Sequence, residues 1–249
     1  MGLCSSSVTK KKYSAFDERI TTALQKYKKL TNSTDDSAVP KSERVNSFNQ
    51  VLTRSNRIRK SLQHIRSVFA RFDVDQSNSI DRQELTAALQ ILGNGVAISA
   101  EDIEKVFNEA DIEQNQKLSL KEFIVCLLLG YLLGQIKLNV AVEESKESVA
   151  AAASTGSEDV FEGHAKEIQF AFNNIIGCYL LFDVDASGDL SRDEVMKQLH
   201  DKSGAFKDRG AQKMMSEERW KELDWDGDGH ITFREFAWAM QNWISQDDE

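Results

Sequence analysis

The sequence has few cysteines, no secretory signal and no apolar run long enough to cross a bilayer. Its three cysteines, Cys4, Cys126 and Cys178, are too few and too scattered for a disulfide framework, and the last two lie in apolar stretches typical of buried thiols. The start of the chain lacks the apolar core of a signal peptide, so we expect residence in the reducing cytosol. Residues 123–133 are apolar but shorter than the about 20 residues of a membrane span. They predict a buried helix, or a helix that also lines a groove for a partner.

Charge is divided unevenly along the chain. The net charge is -9 over 249 residues, but residues 1–60 carry a net +8 and the remainder therefore carries -17. A basic arm on an acidic body argues against nucleic-acid binding and for an arm that meets an acidic surface. A charge run that is merely solvated is the alternative.

Residues 224–235 read DWDGDGHITFRE, with oxygen-bearing side chains at positions one, three, five and nine and a glutamate at twelve. Calcium takes six to eight oxygen ligands from a flexible loop, and this spacing wraps the backbone around one ion. Glycine at position six allows the sharp turn with positive φ. The segment is an EF-hand calcium loop.

The same pattern recurs along the chain, which is stronger evidence than one copy. We call residues 73–84 loop one, 111–122 loop two, 183–194 loop three and 224–235 loop four. Loop one has Asn78 at position six, where Asn tolerates the left-handed region best after Gly. At position seven the backbone carbonyl coordinates, so the ring of His230 need not contact the ion. The predicted ligand positions are Asp73, Asp75, Ser77, Ser79, Asp81 and Glu84 in loop one, Asp183, Asp185, Ser187, Asp189, Ser191 and Glu194 in loop three, and Asp224, Asp226, Asp228, His230, Thr232 and Glu235 in loop four.

Loop two departs from the pattern. Glu113 replaces aspartate at position three, Gln116 replaces glycine at six, and Lys117 puts a positive charge beside the ion. Its remaining oxygen ligands are Asp111, Asn115, Ser119 and Glu122. We therefore expect three calcium ions, with loop two either keeping its shape only to pair with loop one or binding a fourth.

Position eight of every loop is apolar, which predicts that loops join in pairs through a short strand contact. These residues are Ile80, Leu118, Leu190 and Ile231. Apolar residues at helical spacing flank the loops, and Ser99 three residues before Asp102 predicts a helix start. The predicted fold is all-α, with two EF-hand pairs joined by a linker. Its regions are a basic arm (1–44), a first lobe (45–136), a flexible linker of small and charged residues (137–162) and a second lobe (163–249).

The N-terminal arm carries acylation signals. The start MGLCSS matches the pattern for myristate at Gly2, Cys4 is placed for palmitate, and residues 10–12 are three lysines. One acyl chain holds a protein only marginally, and a second chain or basic patch makes attachment lasting. A disordered tail is the alternative. Phe16, Ile20, Leu24 and Tyr27 then predict a basic amphipathic helix that lies on the bilayer or docks back on a lobe.

From about residue 45 to 244 the chain resembles the plant and algal calmodulin-like proteins, in particular longer members with an N-terminal extension. The likeness rests on SFN at Ser47, EFIVCLLLGYLL from Glu122 and ELDWDGDG from Glu222. The chain is more loosely similar to the acylated flagellar calcium-binding proteins of trypanosomes, through its start and DASGD in loop three. The resemblance implies four EF-hands and a role in calcium sensing or binding, with ligands at the loop positions already given. Loop two and the inserted linker depart from that plan.

The sequence favours a membrane-tethered calcium sensor whose affinity for an unknown target protein changes when its loops fill. It would lie on the cytoplasmic face of a membrane, or otherwise in the cytoplasm. A calcium buffer without a target and a non-catalytic regulatory subunit of an enzyme are the alternatives. The sequence shows no nucleophile–base arrangement, phosphate loop or thiolate metal site, so we do not expect an enzyme.

Overall fold

The computed structural model describes residues 15–33, 39, 41–46, 48–93, 98–138, 160–161, 163–200 and 217–245. The acylation signals, most of the linker and the side chain of Trp243 therefore lie outside the described residues. The elements are α1 (Ala15–Asn32), α2 (Phe48–Gln63), α3 (Ile65–Phe72), α4 (Arg82–Leu92), α5 (Ala100–Ala110), α6 (Leu120–Leu132), α7 (Ala165–Phe182), β1 (Asp189–Ser191), α8 (Arg192–His200), α9 (Glu217–Leu223), β2 (His230–Thr232) and α10 (Phe233–Ser245). The predicted all-α fold with EF-hands is confirmed. Of the helices described, none is long and apolar enough to cross a membrane.

Helices α5 and α6 begin at residues whose side chains cap them. Ser99 Oγ accepts a hydrogen bond from the Asp102 amide at 3.1 Å, which confirms the predicted start of α5. Ser119 caps α6 in the same way, and its own amide donates to Glu122 Oε2 at 2.8 Å. Each cap satisfies backbone amides that the first turn of a helix leaves without partners.

The loops join in the predicted pairs. In the first lobe, Ile80 and Leu118 exchange two backbone hydrogen bonds of 2.8 Å. In the second lobe, β1 and β2 form a two-stranded antiparallel sheet in which Leu190 lies opposite Ile231. All four side chains are fully buried. The position-eight residues therefore fix the two pairings.

The apolar run of the first lobe forms the buried helix α6. Every residue from Phe123 to Gly130 is buried, as predicted. Cys126 in α6 and Cys178 in α7 are buried free thiols, which also agrees with the prediction. Burial raises the pKa of Cys126 to about 12 and raises that of Cys178 as well. Neither thiol is therefore a ready thiolate.

The two lobes pack directly against each other. Helix α2 lies along α7, and α10 contacts both α2 and α6. The guanidinium of Arg57 stacks 3.7 Å from the ring centroid of Phe170, and Gln241 donates to the carbonyl of Lys121 at 3.2 Å. One continuous apolar core runs through both lobes.

Helix α1 docks on the protein in this structure. Its apolar stripe faces inward, with three buried residues and one half-buried residue: Phe16, Ile20, Leu24 and Tyr27. Arg19 bonds the Asp102 carboxylate of α5 at 2.5 Å, in the first lobe. The Tyr27 hydroxyl lies 2.9 Å from Asn173 Oδ1 of α7, in the second lobe. The predicted amphipathic helix thus bridges the two lobes.

Candidate metal centres

Three loops bring carboxylates together at positions one, three and twelve. In each, one oxygen from every carboxylate lies within 4.8 Å of the others. The groups are Asp73, Asp75 and Glu84; Asp183, Asp185 and Glu194; and Asp224, Asp226 and Glu235. They belong to loops one, three and four. Loop two, all of whose residues are described, forms no such group.

The aspartate at position one organises the turn of each loop. The two carboxylate oxygens of Asp73 accept hydrogen bonds of 2.9 Å from the amides of Ser77 and Asn78. The same bonds occur in loop two and loop three, and loop four keeps the one to its sixth residue: Asp111 with Asn115 and Gln116, Asp183 with Ser187 and Gly188, and Asp224 with Gly229. The backbone is thereby folded around the point at which the carboxylates converge.

Position six takes the left-handed conformation in all four loops. Gly188 has φ 93 and Gly229 has φ 84, values that glycine adopts without a Cβ clash. Asn78 has φ 59, as predicted for an asparagine that replaces glycine, and Gln116 has φ 66. The strained glutamine shows that loop two keeps the EF-hand turn without the residue that suits it.

The glutamate at position twelve ties each exit helix back to its loop. Glu84 accepts from the Val74 amide at 2.8 Å and from the Asp81 amide at 3.0 Å. Glu194 accepts from the Val184 amide at 2.8 Å. These carboxylates face the loop interior, where a bidentate ligand is required.

In loop three, the residue at position seven turns its backbone carbonyl toward the loop interior. In loops one and four, the residue at position nine supplies a side chain that caps the exit helix. Ser187 Oγ donates to the Asp189 carbonyl at 2.9 Å, while the Asp189 carboxylate lies 3.0 Å from His230 Nδ1. The Asp189 carbonyl, rather than its carboxylate, therefore faces the loop interior. At position nine, Asp81 and Thr232 cap the helices α4 and α10. Such side chains reach an ion through a water molecule.

The donor sets of loops one, three and four fit calcium. They consist of oxygens, the atoms that a hard dication prefers. No donor in the described residues reaches the buried Oδ1 of Asp224, so this oxygen has no hydrogen bond. Asp183 is fully buried, and burial raises the pKa of its carboxyl to about 6, with the nearby Glu194 acting in the same direction. Bound calcium would supply the positive charge that both carboxylates lack.

Loop two serves the first lobe through other contacts. Its position-twelve residue, Glu122, is fully buried and accepts from the amide and the hydroxyl of Ser119 at 2.8 Å. Gln116 accepts a hydrogen bond from Arg82 at the start of α4. The hydrogen bond from the Ser77 side chain is the main cause of the lowered pKa of Asp75, and the charge of Lys117 contributes to it. Lys117 thus offsets the negative charge of loop one.

Residues of α1 also contact loop three from outside it. Lys28 Nζ donates to the carbonyls of Asp183 and Val184, both at 2.9 Å. Gln25 Nε2 donates to the carbonyl of Ala186 at 2.9 Å. Both residues lie on α1, and sequence reasoning placed them in a basic helix without assigning them to the loop. The acidic loop and the basic helix are complementary, but more than 150 residues separate them.

Comparison with known proteins also identifies EF-hands and similarity to calcium-binding proteins. The family described as an EF-hand domain pair matches residues 62–124, which contain loops one and two. The chain is 27% identical to the probable calcium-binding protein CML22 of Arabidopsis thaliana, over 98% of this chain and 95% of that protein. It is 27% identical to the probable calcium-binding protein CML21 of the same plant, over 81% of this chain and 77% of that protein. EF-hand calcium-binding domain-containing protein 11 of Rattus norvegicus is 30% identical over 55% of this chain and 83% of that protein.

Proposed function

Because this chain belongs to the calmodulin-like EF-hand proteins and binds calcium through its EF-hands, we propose that it is a calcium sensor tethered to a membrane. Its affinity for a protein partner changes when loops one, three and four fill. Its N-terminal arm holds it on the cytoplasmic face of the membrane.

The contacts of the position-twelve glutamates carry the sensor proposal. Glu84 ties α4, and Glu194 ties α8, to a backbone amide at the start of the loop. When both oxygens of such a glutamate join a coordination shell, these contacts with the start of the loop change, so we expect the exit helix to shift when its loop fills. In sensor EF-hands such a change opens the helix pair and exposes an apolar groove, whereas buffer hands barely open.

Dye binding distinguishes a sensor from a buffer. We expect calcium, but not magnesium at equal occupancy, to increase the binding of a hydrophobic dye and to shift tryptophan emission. Trp220, Trp225 and Trp238 report on the second lobe from buried, exposed and half-buried positions. The double variant Glu194→Gln and Glu235→Gln is the control and should lose most of the dye response. A tryptophan shift without a gain in dye binding would support the buffer instead.

The membrane tether rests on the start of the sequence. Myristate at Gly2 gives only weak, reversible attachment, so palmitate at Cys4 and the lysines at positions 10–12 supply the second signal. The docked position of α1 leaves these preceding residues to make the attachment.

Fractionation of cells and mass spectrometry of the N-terminal peptide test the tether. We expect the acylated chain in the membrane fraction, Gly2→Ala in the soluble fraction, and Cys4→Ser exchanging between the two. Replacing the three lysines should weaken binding to acidic vesicles most at low salt, where charge attraction is least screened. A free or acetylated N-terminus on soluble protein would rule out the tether and leave the sensor proposal intact.

A further inference from the structure

Helix α1 lies directly on the outside of calcium loop three. Lys28, Gln25 and Thr21 follow one face of the helix. Lys28 and Gln25 donate to carbonyls of the loop, and Thr21 Oγ1 lies 3.5 Å from the Ser187 carbonyl oxygen. The approach is close at Gly188, where an added Cβ would lie 2.0 Å from Thr21 Oγ1. Glycine at this position therefore meets two demands: the left-handed turn of the loop and the contact with α1.

The apolar face of α1 is seated between the lobes. Phe16 and Ile20 pack beside Leu129 of α6 and Phe233 of α10, and the space left between them and loop three is about 20 Å³. Such a gap has room for about one water molecule. We call the surface formed by loop three with the adjoining parts of α6, α7 and α10 the α1-binding surface. It accepts a helix with large apolar residues at four-residue spacing and a cation on the side that meets the loop.

The negative charge of loop three stabilises the docking of α1. Lys28 is half-buried and donates a hydrogen bond to the carbonyl of Asp183, the residue at position one of loop three, whose carboxylate is one of the predicted calcium ligands. Its ammonium is attracted to the negative charge of the loop. A divalent cation in the loop cancels this attraction and repels the ammonium. Occupancy of the loop and docking of Lys28 therefore oppose each other, and thermodynamic linkage makes the opposition reciprocal.

We propose that α1 is an internal ligand of the α1-binding surface, and that calcium in loop three weakens its docking and so exposes this surface. This inference deepens the proposed sensor function and rests on it for its biological use. The charge coupling between Lys28 and loop three is an independent physical claim.

The coupling is tested by calcium affinity. In a full-length background with Glu84→Gln and Glu235→Gln, calorimetry at pH 7.5 reports on loop three. Lys28→Gln should raise its calcium affinity by roughly fivefold or more, within the usual range for coupling between sites. Lys29→Gln is the matched control, since it removes the same charge from the exposed neighbouring position. Equal effects of the two substitutions, or no effect of either, would overturn the coupling.

Release of α1 is tested by hydrogen exchange in the otherwise unmodified full-length chain. Calcium should speed amide exchange in residues 15–32 by about tenfold, because a docked helix is protected by its contacts. Lys28→Gln should speed the same amides without calcium, and Lys29→Gln should not. Unchanged or slower exchange of α1 on adding calcium would show that α1 stays docked.

Exposure of the α1-binding surface is tested with a synthetic peptide of residues 15–32 that carries Lys28→Gln, because calcium in loop three would repel a lysine at this position. The peptide should bind the calcium-loaded chain and not the chelator-treated chain, in which α1 covers the surface, and the same peptide with Ile20→Glu and Leu24→Glu should bind neither. Equal binding of the peptide in calcium and in chelator would contradict the exposure of the surface by calcium.

Increased dye binding in calcium, with unchanged amide hydrogen exchange in α1, would contradict this inference but not the proposed sensor function. Without any calcium-dependent dye binding the sensor proposal fails, and the comparison of Lys28→Gln with Lys29→Gln still decides the coupling.

Discussion

The ionised carboxylate of Asp183 destabilises the folded chain, because burial raises the pKa of this carboxyl from 3.8 to about 6. Between these two pH values the folded state holds the proton more tightly than the unfolded state, so this carboxyl lowers stability as pH rises through the window. In chelator at pH 7, Asp183→Asn should stabilise the fold by at most about 3 kcal/mol, the equivalent of two pKa units. The gain should vanish below pH 4. Urea unfolding at both pH values measures it.

Asp185→Asn is the matched control for this change, since Asp185 is exposed in the same loop. It should alter stability by less than about 0.5 kcal/mol at either pH. A gain for Asp183→Asn that persists at low pH would mean that its charge is not the cause. Both substitutions should weaken calcium binding by loop three, because both remove a carboxylate ligand.

Substitution of the glutamates at position twelve tests which of the four loops bind calcium. Glu84→Gln, Glu194→Gln and Glu235→Gln should each remove one calcium site by calorimetry, with at least the roughly 10- to 100-fold loss that removal of an outer-sphere partner causes. Loops three and four should fill before loop one, because both have glycine at position six. Glu122→Gln should leave the number of ions unchanged. Loss of a fourth ion in that variant would make loop two a binding site.

The strand pair is the element that couples the two loops of the second lobe. Leu190 is fully buried opposite Ile231. Leu190→Ala should cost about 2–5 kcal/mol of stability and weaken calcium binding at loop four as well as at loop three. Val184→Ala, at an exposed position of the same loop, is the control and should change stability by no more than about 0.5 kcal/mol. Denaturant unfolding and calorimetry test both effects; normal calcium affinity at loop four in Leu190→Ala would contradict the coupling.

The local elements could be predicted from the sequence because short-range rules determine them. The position-eight pairing, the Ser99 cap, the left-handed Asn78 and the burial of α6 all follow from spacing and residue type. The docking of α1 could not be predicted in the same way. An apolar stripe flanked by lysines suits a bilayer and a protein groove equally, and only tertiary contacts distinguish them.

The contacts between the lobes could not be predicted from the sequence. His64 and His164 lie 100 residues apart in the sequence, yet their rings stack with centroids 3.5 Å apart at the start of α3 and of α7. The guanidinium of Arg57 rests on Phe170 in the same way, across more than 100 positions of sequence. Periodicity predicts which face of a helix is buried, but it does not name the helix that covers it.

A shared core predicts that the calcium-depleted protein unfolds as one unit. Tryptophan emission reports on the second lobe, and hydrogen exchange in α4 and α5 reports on the first; we expect their unfolding midpoints to coincide. Arg57→Ala removes the cation that stacks on Phe170 and should lower stability by about 0.5–2 kcal/mol in both lobes together. Arg66→Ala, which removes an exposed arginine of α3, should leave both midpoints nearly unchanged. Two separated transitions, or a loss confined to one lobe in Arg57→Ala, would mean that the lobes fold independently and that the contact between α2 and α7 contributes little.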